Sequence, residues 1–101
     1  MKHFLITYRL TNGSEQQRRQ EIVAFIAALE NDAALRGKIS YRCLKAREGP
    51  DYYHLASAAD DEAVATLQSR DFFTRYTEQT EHSAADGKVD VTPLELITET
   101  S

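Results

Sequence analysis

The sequence predicts an α+β fold with the element order β-α-β-β-α-β. Three observations predict it: apolar side chains alternate with period 2 in four segments, they recur with a helical period in the segments between, and glycines fall at the junctions. The length of 101 residues fits a single domain over residues 1–101. Because a chain of this size buries only a modest core, an oligomer interface would add usefully to its stability.

The first strand is predicted over residues 3–10. One side of this segment is apolar and the other is mainly polar, as expected for a sheet whose far side is only half covered. The apolar side consists of Phe4, Ile6, Tyr8 and Leu10, and the other side of His3, Leu5, Thr7 and Arg9.

A helix is predicted to follow the break at Asn12-Gly13. Ser14 is a suitable N-cap, with Gln17 at the capping-box position. The polar residues 15–20 form the first turns, and Gly37 is a suitable stop because glycine tolerates the left-handed conformation. The apolar face of this helix has the spacing i, i+3, i+4, i+7 and consists of Ile22, Phe25, Ile26 and Leu29.

A hairpin is predicted next. Residues 38–46 alternate in the strand pattern, residues 48–51 (Glu-Gly-Pro-Asp) supply turn residues, and residues 52–57 form the second arm. In the first arm, Ile39, Tyr41 and Cys43 alternate with Ser40, Arg42 and Leu44.

The second half of the chain predicts a broken helix and a last strand. Asp60 and Asp61 place acids at the start of a short helix, and Ser69 is expected to cap the next one. Residues 88–99 predict a strand in two pieces, since Pro93 cannot donate to a ladder and must lie at an edge, bulge or bend. The helices carry Ala63, Val64 and Leu67, then Phe72, Phe73 and Tyr76.

This order is that of the ferredoxin-like fold, an antiparallel sheet with helices on one face. In this order of elements and in the segment from Tyr52 to Tyr76, the chain resembles the antibiotic biosynthesis monooxygenase family of the dimeric α+β barrel superfamily. The specific part of the resemblance is Asp60-Asp61-Glu62-Ala63-Val64 followed by Ser69-Arg70-Asp71-Phe72-Phe73. The resemblance implies a homodimer paired sheet to sheet, forming a dimeric α+β barrel, with a pocket between the sheet and helices of each protomer.

The resemblance also implies a function: a cofactor-independent monooxygenase that acts on a small aromatic or quinol compound without metal or flavin. Two alternatives stay open, a non-catalytic dimeric module that binds a small ligand or presents a surface, and an isomerase or lyase of the same superfamily. Ala58 and Leu67 stand where many relatives carry a Trp and a His or Trp. Thr77 and Tyr8 stand where haem-degrading relatives carry His and Asn, which argues against haem degradation.

Seven residues are candidates for the site. His54 could take a phenolic proton, Tyr8 could do so through water, and Arg42 could stabilise the resulting anion. The tyrosines and phenylalanines could line a flat slot for a ring, with substrate contacts assigned to Tyr53, Phe73, Tyr76 and Leu67. The alternative interpretations are that the aromatic residues form the core, that the His54 side chain is solvated, bonded to the backbone or part of a dimer contact, and that Arg42 pairs with Glu48 or Asp51.

Composition disfavours several classes of function. The net charge is −4 and the 12 Lys and Arg residues are scattered, so no nucleic-acid platform is expected. The three histidines and Cys43 follow no metal-ligand spacing, so no metal site is expected, and Cys43 is interpreted as a small buried residue. The apolar runs are too short to span a membrane, and the single cysteine and the absence of a leader pattern predict a cytoplasmic protein.

Overall fold

A computed structural model describes residues 1–101. Four strands and three α-helices follow one another in the predicted order, with a single 3₁₀ turn before the last strand. The elements are β1 (Lys2–Arg9), α1 (Glu15–Asn31), β2 (Ile39–Lys45), β3 (Asp51–Ala58), α2 (Asp61–Gln68), α3 (Asp71–Ser83) and β4 (Asp90–Leu94).

The four strands form one sheet in the order β2-β3-β1-β4, and all neighbouring strands are antiparallel. Sequential strands are therefore not always neighbours, because β1 is inserted between β3 and β4 and α1 crosses from β1 to the edge strand β2. This topology, with the helices on one face, confirms the predicted ferredoxin-like fold. None of the helices has both the length and the apolar character needed to cross a membrane.

Helix α1 begins as predicted and ends earlier than predicted. The Ser14 hydroxyl accepts a hydrogen bond from the backbone N–H of Gln17 at 3.0 Å. The helix stops at Asn31, six residues before Gly37, because the Asp32 carboxylate accepts a bond from the Ala34 N–H and pairs with Arg70 at 2.8 Å. Gly37 instead provides a positive φ of 81° in the turn that leads into β2.

The predicted cap of α3 was wrong, and the acidic start predicted for α2 is confirmed. Asp60 caps α2 by accepting a bond from the Ala63 N–H at 2.8 Å. Ser69 does not cap α3, because its hydroxyl donates to the Thr66 carbonyl of the preceding helix at 2.6 Å. Ser69 thus closes α2, and Arg70 occupies the N-cap of α3 without a side-chain bond.

Strand β4 confirms the edge position of Pro93 but is a single piece of five residues rather than two pieces. An edge strand pairs on one side only, so a proline can be accommodated there. Residues 95–101 have no regular structure.

The sheet has two different faces. The covered face packs against the helices and contains Tyr8, Tyr41, Cys43, Tyr52 and His54, with Phe4, Ile6, Ala56 and Val91. The open face carries no helix, and it contains Leu5, Thr7, Arg42, Leu44, Tyr53, Leu55, Thr92 and Leu94.

The core lies between the covered face and the helices, in two clusters. The larger cluster consists of Phe25, Leu29, Leu35, Leu67 and Tyr76, which come from α1, the following turn, α2 and α3. The smaller cluster consists of Tyr8, Tyr52 and Ala84 and closes the other end of the sheet. The Tyr76 ring stacks on Phe25 at 3.9 Å between centroids, which joins α3 to α1.

Candidate functional site

A cavity of about 350 Å³ lies between the covered face and helices α2 and α3. Twelve of its eighteen lining residues are hydrophobic, so it suits a largely apolar molecule. The strands contribute Phe4, Ile6, Ile39, Tyr41, His54, Ala56, Ser57, Ala58 and Val91, the helices contribute Val64, Leu67, Gln68, Phe73, Tyr76, Thr77, Thr80 and Glu81, and Val89 precedes β4.

His54 lies in the cavity wall with both ring nitrogens occupied. Its Nε2 lies 3.1 Å from the Tyr8 hydroxyl, and its Nδ1 lies 3.3 Å from the Tyr76 hydroxyl. The residue is 0% exposed. Burial, followed by the positive charge of Arg18, lowers the pKa of His54 to about 4, so the imidazole is neutral at pH 7.

Arg18 of α1 anchors this network through three side-chain hydrogen bonds. Its Nε donates to the Tyr8 hydroxyl at 2.9 Å, its Nη1 donates to the Glu21 carboxylate at 3.0 Å, and its Nη2 donates to the Thr80 hydroxyl at 2.6 Å. The guanidinium also lies over the ring of Tyr76, with 4.9 Å from its central carbon to the ring centroid. A fully buried positive charge is thus held by one carboxylate, two hydroxyls and aromatic faces.

The Arg18 charge persists despite its burial. Burial alone would lower its pKa, but the neighbouring Tyr76 and Tyr8 oxygens and the Glu21 contact outweigh it, and the pKa is raised. The Thr80 hydroxyl donates in turn to the Tyr76 carbonyl at 2.9 Å, which fixes Arg18 to the middle of α3. The network therefore links α1, α3 and two central strands.

The hydroxyls and the thiol around the cavity are neutral at physiological pH. Burial raises the pKa of Tyr8 to about 12 and that of Cys43 to about 11, and it raises the pKa of Tyr41 and Tyr76 as well. A neutral tyrosine hydroxyl is a hydrogen-bond donor and acceptor rather than a base. The cavity thus offers donors and apolar surface, and it offers no anionic oxygen or thiolate from these groups.

The structure brings five of the seven candidate residues together. His54, Tyr76, Phe73 and Leu67 line the cavity, and Tyr8 lies directly behind His54. The hypothesis that His54 removes a substrate proton directly meets an obstacle, because the residue is sealed and both of its nitrogens have partners. Its position instead supports a role in orienting the tyrosine hydroxyls.

Arg42 and Tyr53 were placed wrongly, since both lie on the open face. Tyr53 precedes His54 in a strand, and consecutive strand residues point to opposite faces, so the two could not share a slot. Arg42 pairs in register with Leu55, whereas Cys43 pairs with His54, so Arg42 also faces away from the cavity. Asp51, a suggested partner of Arg42, pairs with Arg9 at 3.2 Å.

Arg18 and Thr80 are site residues that the sequence interpretation missed. Arg18 was included among the polar residues of the first helical turns, yet its side chain is 0% exposed. The signal was present: Arg18 precedes Ile22, Phe25 and Leu29 by 4, 7 and 11 positions, which is helical spacing on the apolar face. A charged residue at such a position needs a buried partner.

No group of three or more His, Cys, Asp and Glu side chains is arranged to hold a metal ion. The polar groups of the cavity wall are instead hydroxyls, one imidazole, the amide of Gln68 and the carboxylate of Glu81. They suit hydrogen bonding to an oxygen-bearing ligand better than ligation of a cation.

No family model and no curated protein matches this sequence. Among solved structures, a mutant of SnoaB, a cofactor-independent oxygenase from Streptomyces nogalater, is similar with a TM-score of 0.77 at 11% identity, over 97% of this chain and 94% of the other. This chain shares its fold. The fold that the sequence-based resemblance implied is thereby confirmed.

Two further structures support the same conclusion. An antibiotic biosynthesis monooxygenase matches with a TM-score of 0.77 at 9% identity, over 97% of this chain and all of the other (100%). A dimeric ferredoxin-like protein of unknown function from Jannaschia sp. CCS1 matches with a TM-score of 0.69 at 21% identity, over 95% of this chain and 100% of the other. At such identities the likeness concerns the fold, and the chemistry has to be argued from the site.

Proposed function

We propose that this protein is a monooxygenase that oxidises a small aromatic or quinol compound in the cavity on the covered face. The observation that carries the proposal is the combination of an apolar cavity with a hydroxyl and imidazole network at one wall, anchored by a buried Arg18. The fold shared with a cofactor-independent oxygenase and with an antibiotic biosynthesis monooxygenase supports it.

The proposed reaction uses the substrate as its own source of electrons. A quinol anion passes electrons to dioxygen, one oxygen atom becomes bonded to a ring carbon, and the other leaves as water. A hydroquinone plus one O₂ thus gives a hydroxyquinone plus one H₂O, so atoms and electrons balance without a further reductant.

The protein's part in this reaction is to hold the ring and stabilise its anion. Phe73 and Leu67 line the cavity and would pack against the ring, while the Tyr76 hydroxyl would donate to the ring oxygen. Because the pKa of His54 is about 4, the network is poorly suited to accept a proton, and its neutral groups serve as hydrogen-bond donors instead. The substrate proton would therefore leave to water.

A homodimer is part of the proposal. Tyr53, Leu44, Leu55 and Leu94 expose between 37% and 45% of their area on the open face. Burying such a face against a second copy is the simplest way to remove that apolar area from water. The dimeric description of the Jannaschia protein supports this arrangement. We further propose a cytoplasmic location, with which the unpaired Cys43 agrees.

Oxygen consumption by the purified protein tests the function. A panel of hydroquinones and naphthoquinols is incubated with the protein in air and under argon, and products are identified by mass spectrometry. We expect oxygen-dependent formation of a product one oxygen atom heavier and two hydrogen atoms lighter than the quinol. The absence of such a product above the uncatalysed rate across the panel contradicts the proposal.

A non-catalytic binding module is the second candidate, favoured by the sealed environment of His54. A pocket that binds a ligand needs donors and apolar surface but no base, and both are present. Native mass spectrometry of freshly purified protein separates the two functions. A retained small molecule that is released unchanged in air, without turnover, supports binding alone.

A further inference from the structure

The hydrogen bonds behind the cavity form a continuous chain from a charge to the cavity wall. The chain runs from the Arg18 guanidinium to the Tyr8 hydroxyl, from there to His54, and from His54 to the Tyr76 hydroxyl. Its three links measure 2.9, 3.1 and 3.3 Å. Only the last two members, His54 and Tyr76, line the cavity, so Arg18 and Tyr8 act from behind the wall.

Arg18, the first member, sets the direction in which the hydrogen bonds of this chain are donated. A guanidinium can only donate hydrogen bonds, so the Tyr8 oxygen accepts one from Arg18. The Tyr8 hydroxyl then donates a hydrogen bond to the Nε2 of His54. A neutral imidazole then carries its proton on Nδ1 and donates it to the Tyr76 oxygen. This assignment gives Tyr8 and His54 one donated and one accepted bond each, and it leaves the Tyr76 hydroxyl proton available for a further acceptor.

The Tyr76 end of the chain lies on the cavity side of the network. The Tyr76 hydroxyl lies near the Tyr41 hydroxyl. Burial raises the pKa of Tyr41, and a hydrogen bond with Tyr76 partly offsets that rise. The chain therefore ends in two tyrosines that line the cavity. Successive bonds donated in one direction polarise one another, so the terminal donor is stronger than an isolated phenol.

We propose that this chain makes the cavity selective for the anionic form of a ring hydroxyl, with Arg18 and Tyr8 as positioning residues that act through His54 on Tyr76. The ligand class is a phenolate, quinol anion or enolate whose oxygen accepts from Tyr76 or its neighbour Tyr41. The proposal rests on the proposed function insofar as both use the same cavity, but it concerns the ionisation of the bound ligand and requires no turnover.

The charged and titratable groups around the cavity decide whether an anion is favoured. Glu81 of α3 is the only carboxylate in the lining and opposes an anion, but it is exposed and therefore screened by water. Glu21 of α1 is engaged by Arg18, and Cys43 of β2 and Tyr52 of β3 are neutral at pH 7 because burial raises the pKa of each. Arg18 is the positive charge in closest contact with the cavity wall, since its central carbon lies 4.9 Å from the Tyr76 ring centroid.

The ionisation of bound 4-nitrophenol tests the proposal, because its anion is coloured and it titrates near neutral pH in water. We expect the protein to bind the anion about tenfold more tightly than the phenol, since a charge-assisted bond is roughly twice as strong as a neutral one. The pKa of the bound probe would then fall by about one unit. 4-Nitroanisole, which has no ionisable oxygen, should bind without this pH dependence.

Variants locate the effect in the chain. Tyr76→Phe removes the terminal donor, and Tyr8→Phe interrupts the chain at a residue outside the cavity lining. Both should return the pKa of bound nitrophenol toward its value in water, whereas Tyr53→Phe on the open face should leave it lowered. Far-UV circular dichroism and a cooperative unfolding transition of each variant confirm that the fold is kept. Thr80→Val provides a second way to loosen Arg18 if Tyr8→Phe does not fold.

Three results overturn the proposal: nitrophenol does not bind, its pKa in the bound state is unchanged or raised, or Tyr8→Phe behaves as wild type. A protein that lowers the pKa of nitrophenol yet oxidises no quinol supports this proposal and contradicts the proposed oxygenase function. A protein that oxidises quinols without lowering the pKa of nitrophenol does the reverse. The two proposals therefore fail separately.

Discussion

The two faces of the sheet use the same strands for different purposes. On β3, His54 is 0% exposed, whereas its neighbours Tyr53 and Leu55 are 43% and 37% exposed. The covered face gathers aromatic rings, a buried charge and a cavity, while the open face presents leucines and a tyrosine to solvent. A single residue step along a strand therefore decides whether a side chain belongs to the candidate site or to a candidate protein interface.

The polar groups also differ between the two faces. On the covered face, every buried side-chain nitrogen and oxygen has a hydrogen-bond partner. On the open face the polar groups are solvated, and ion pairs such as Arg9 with Asp51 lie at the surface, where they contribute little to stability. The comparison teaches that the covered face is where a substitution of a polar residue should be costly, and the following predictions test this.

Replacement of Arg18 should have the largest effect. Arg18→Met keeps the unbranched apolar stem of the side chain but removes the guanidinium, which leaves Glu21, Tyr8 and Thr80 without their buried partner. We expect a loss of about 3 to 4 kcal/mol in the free energy of unfolding. Urea denaturation followed by circular dichroism measures it. Arg19→Met, at the neighbouring exposed position, is the matched control and should change stability by less than about 0.5 kcal/mol. Similar losses in the two variants would contradict the assigned network.

Acidification should have the next largest effect. The pKa of His54 is about 4 in the folded protein, below the ordinary value of 6.5, so protonation favours the unfolded chain. Stability should be unaffected by this group above pH 6.5 and should decline as pH falls from 6.5 through 4, by about 3 kcal/mol in total. The difference in unfolding free energy between wild type and His54→Asn across this window isolates the contribution. Parallel profiles would show that His54 is not buried as a neutral ring.

A pair of tyrosine variants compares the two faces directly through activity. If the cavity oxidises quinols, Tyr76→Phe should lower kcat by about tenfold to a hundredfold, because one donor to the developing anion is lost. Tyr53→Phe removes the same hydroxyl from the open face and should leave kcat within about twofold. Initial rates of oxygen uptake with one quinol measure both. Equal losses would mean that the cavity on the covered face is not where the substrate reacts.

The sequence was sufficient for the fold because the alternation in β1 to β3 is strict and the helix caps at Ser14 and Asp60 have clear signatures. It was insufficient for helix ends that depend on tertiary contacts. Asp32 ends α1 partly because Arg70, 38 residues later, binds its carboxylate, and no local pattern shows this pairing. The apparent cap at Ser69 failed for a related reason, since its hydroxyl serves the preceding helix instead.

The candidate site was predictable in part. His54, Tyr76 and Phe73 could be proposed from their aromatic surroundings, and Tyr53 could have been excluded by alternation alone. The exclusion of Arg42 required the register of β2 against β3, which the hairpin turn sets and the sequence does not state. To place Arg18 in the site, one has to recognise that a charged residue can occupy a core position of a helix. It does so here because a carboxylate of the same helix and hydroxyls from distant segments bind it.

The smallest expected effect concerns the open face. Leu55 lies on the central strand β3 and is 37% exposed, so burial of its remaining area in a homodimer would contribute about 1 kcal/mol. Leu55→Ala should therefore weaken dimerisation by about fivefold to tenfold without lowering the stability of the protomer to the same degree. Sedimentation equilibrium over a range of concentrations measures the dissociation constant, and Val23→Ala, an exposed position of α1 away from the sheet, is the control. If wild type sediments as a monomer at all concentrations, or if Val23→Ala weakens association as much as Leu55→Ala, the open face is not the interface and its exposed leucines need another partner.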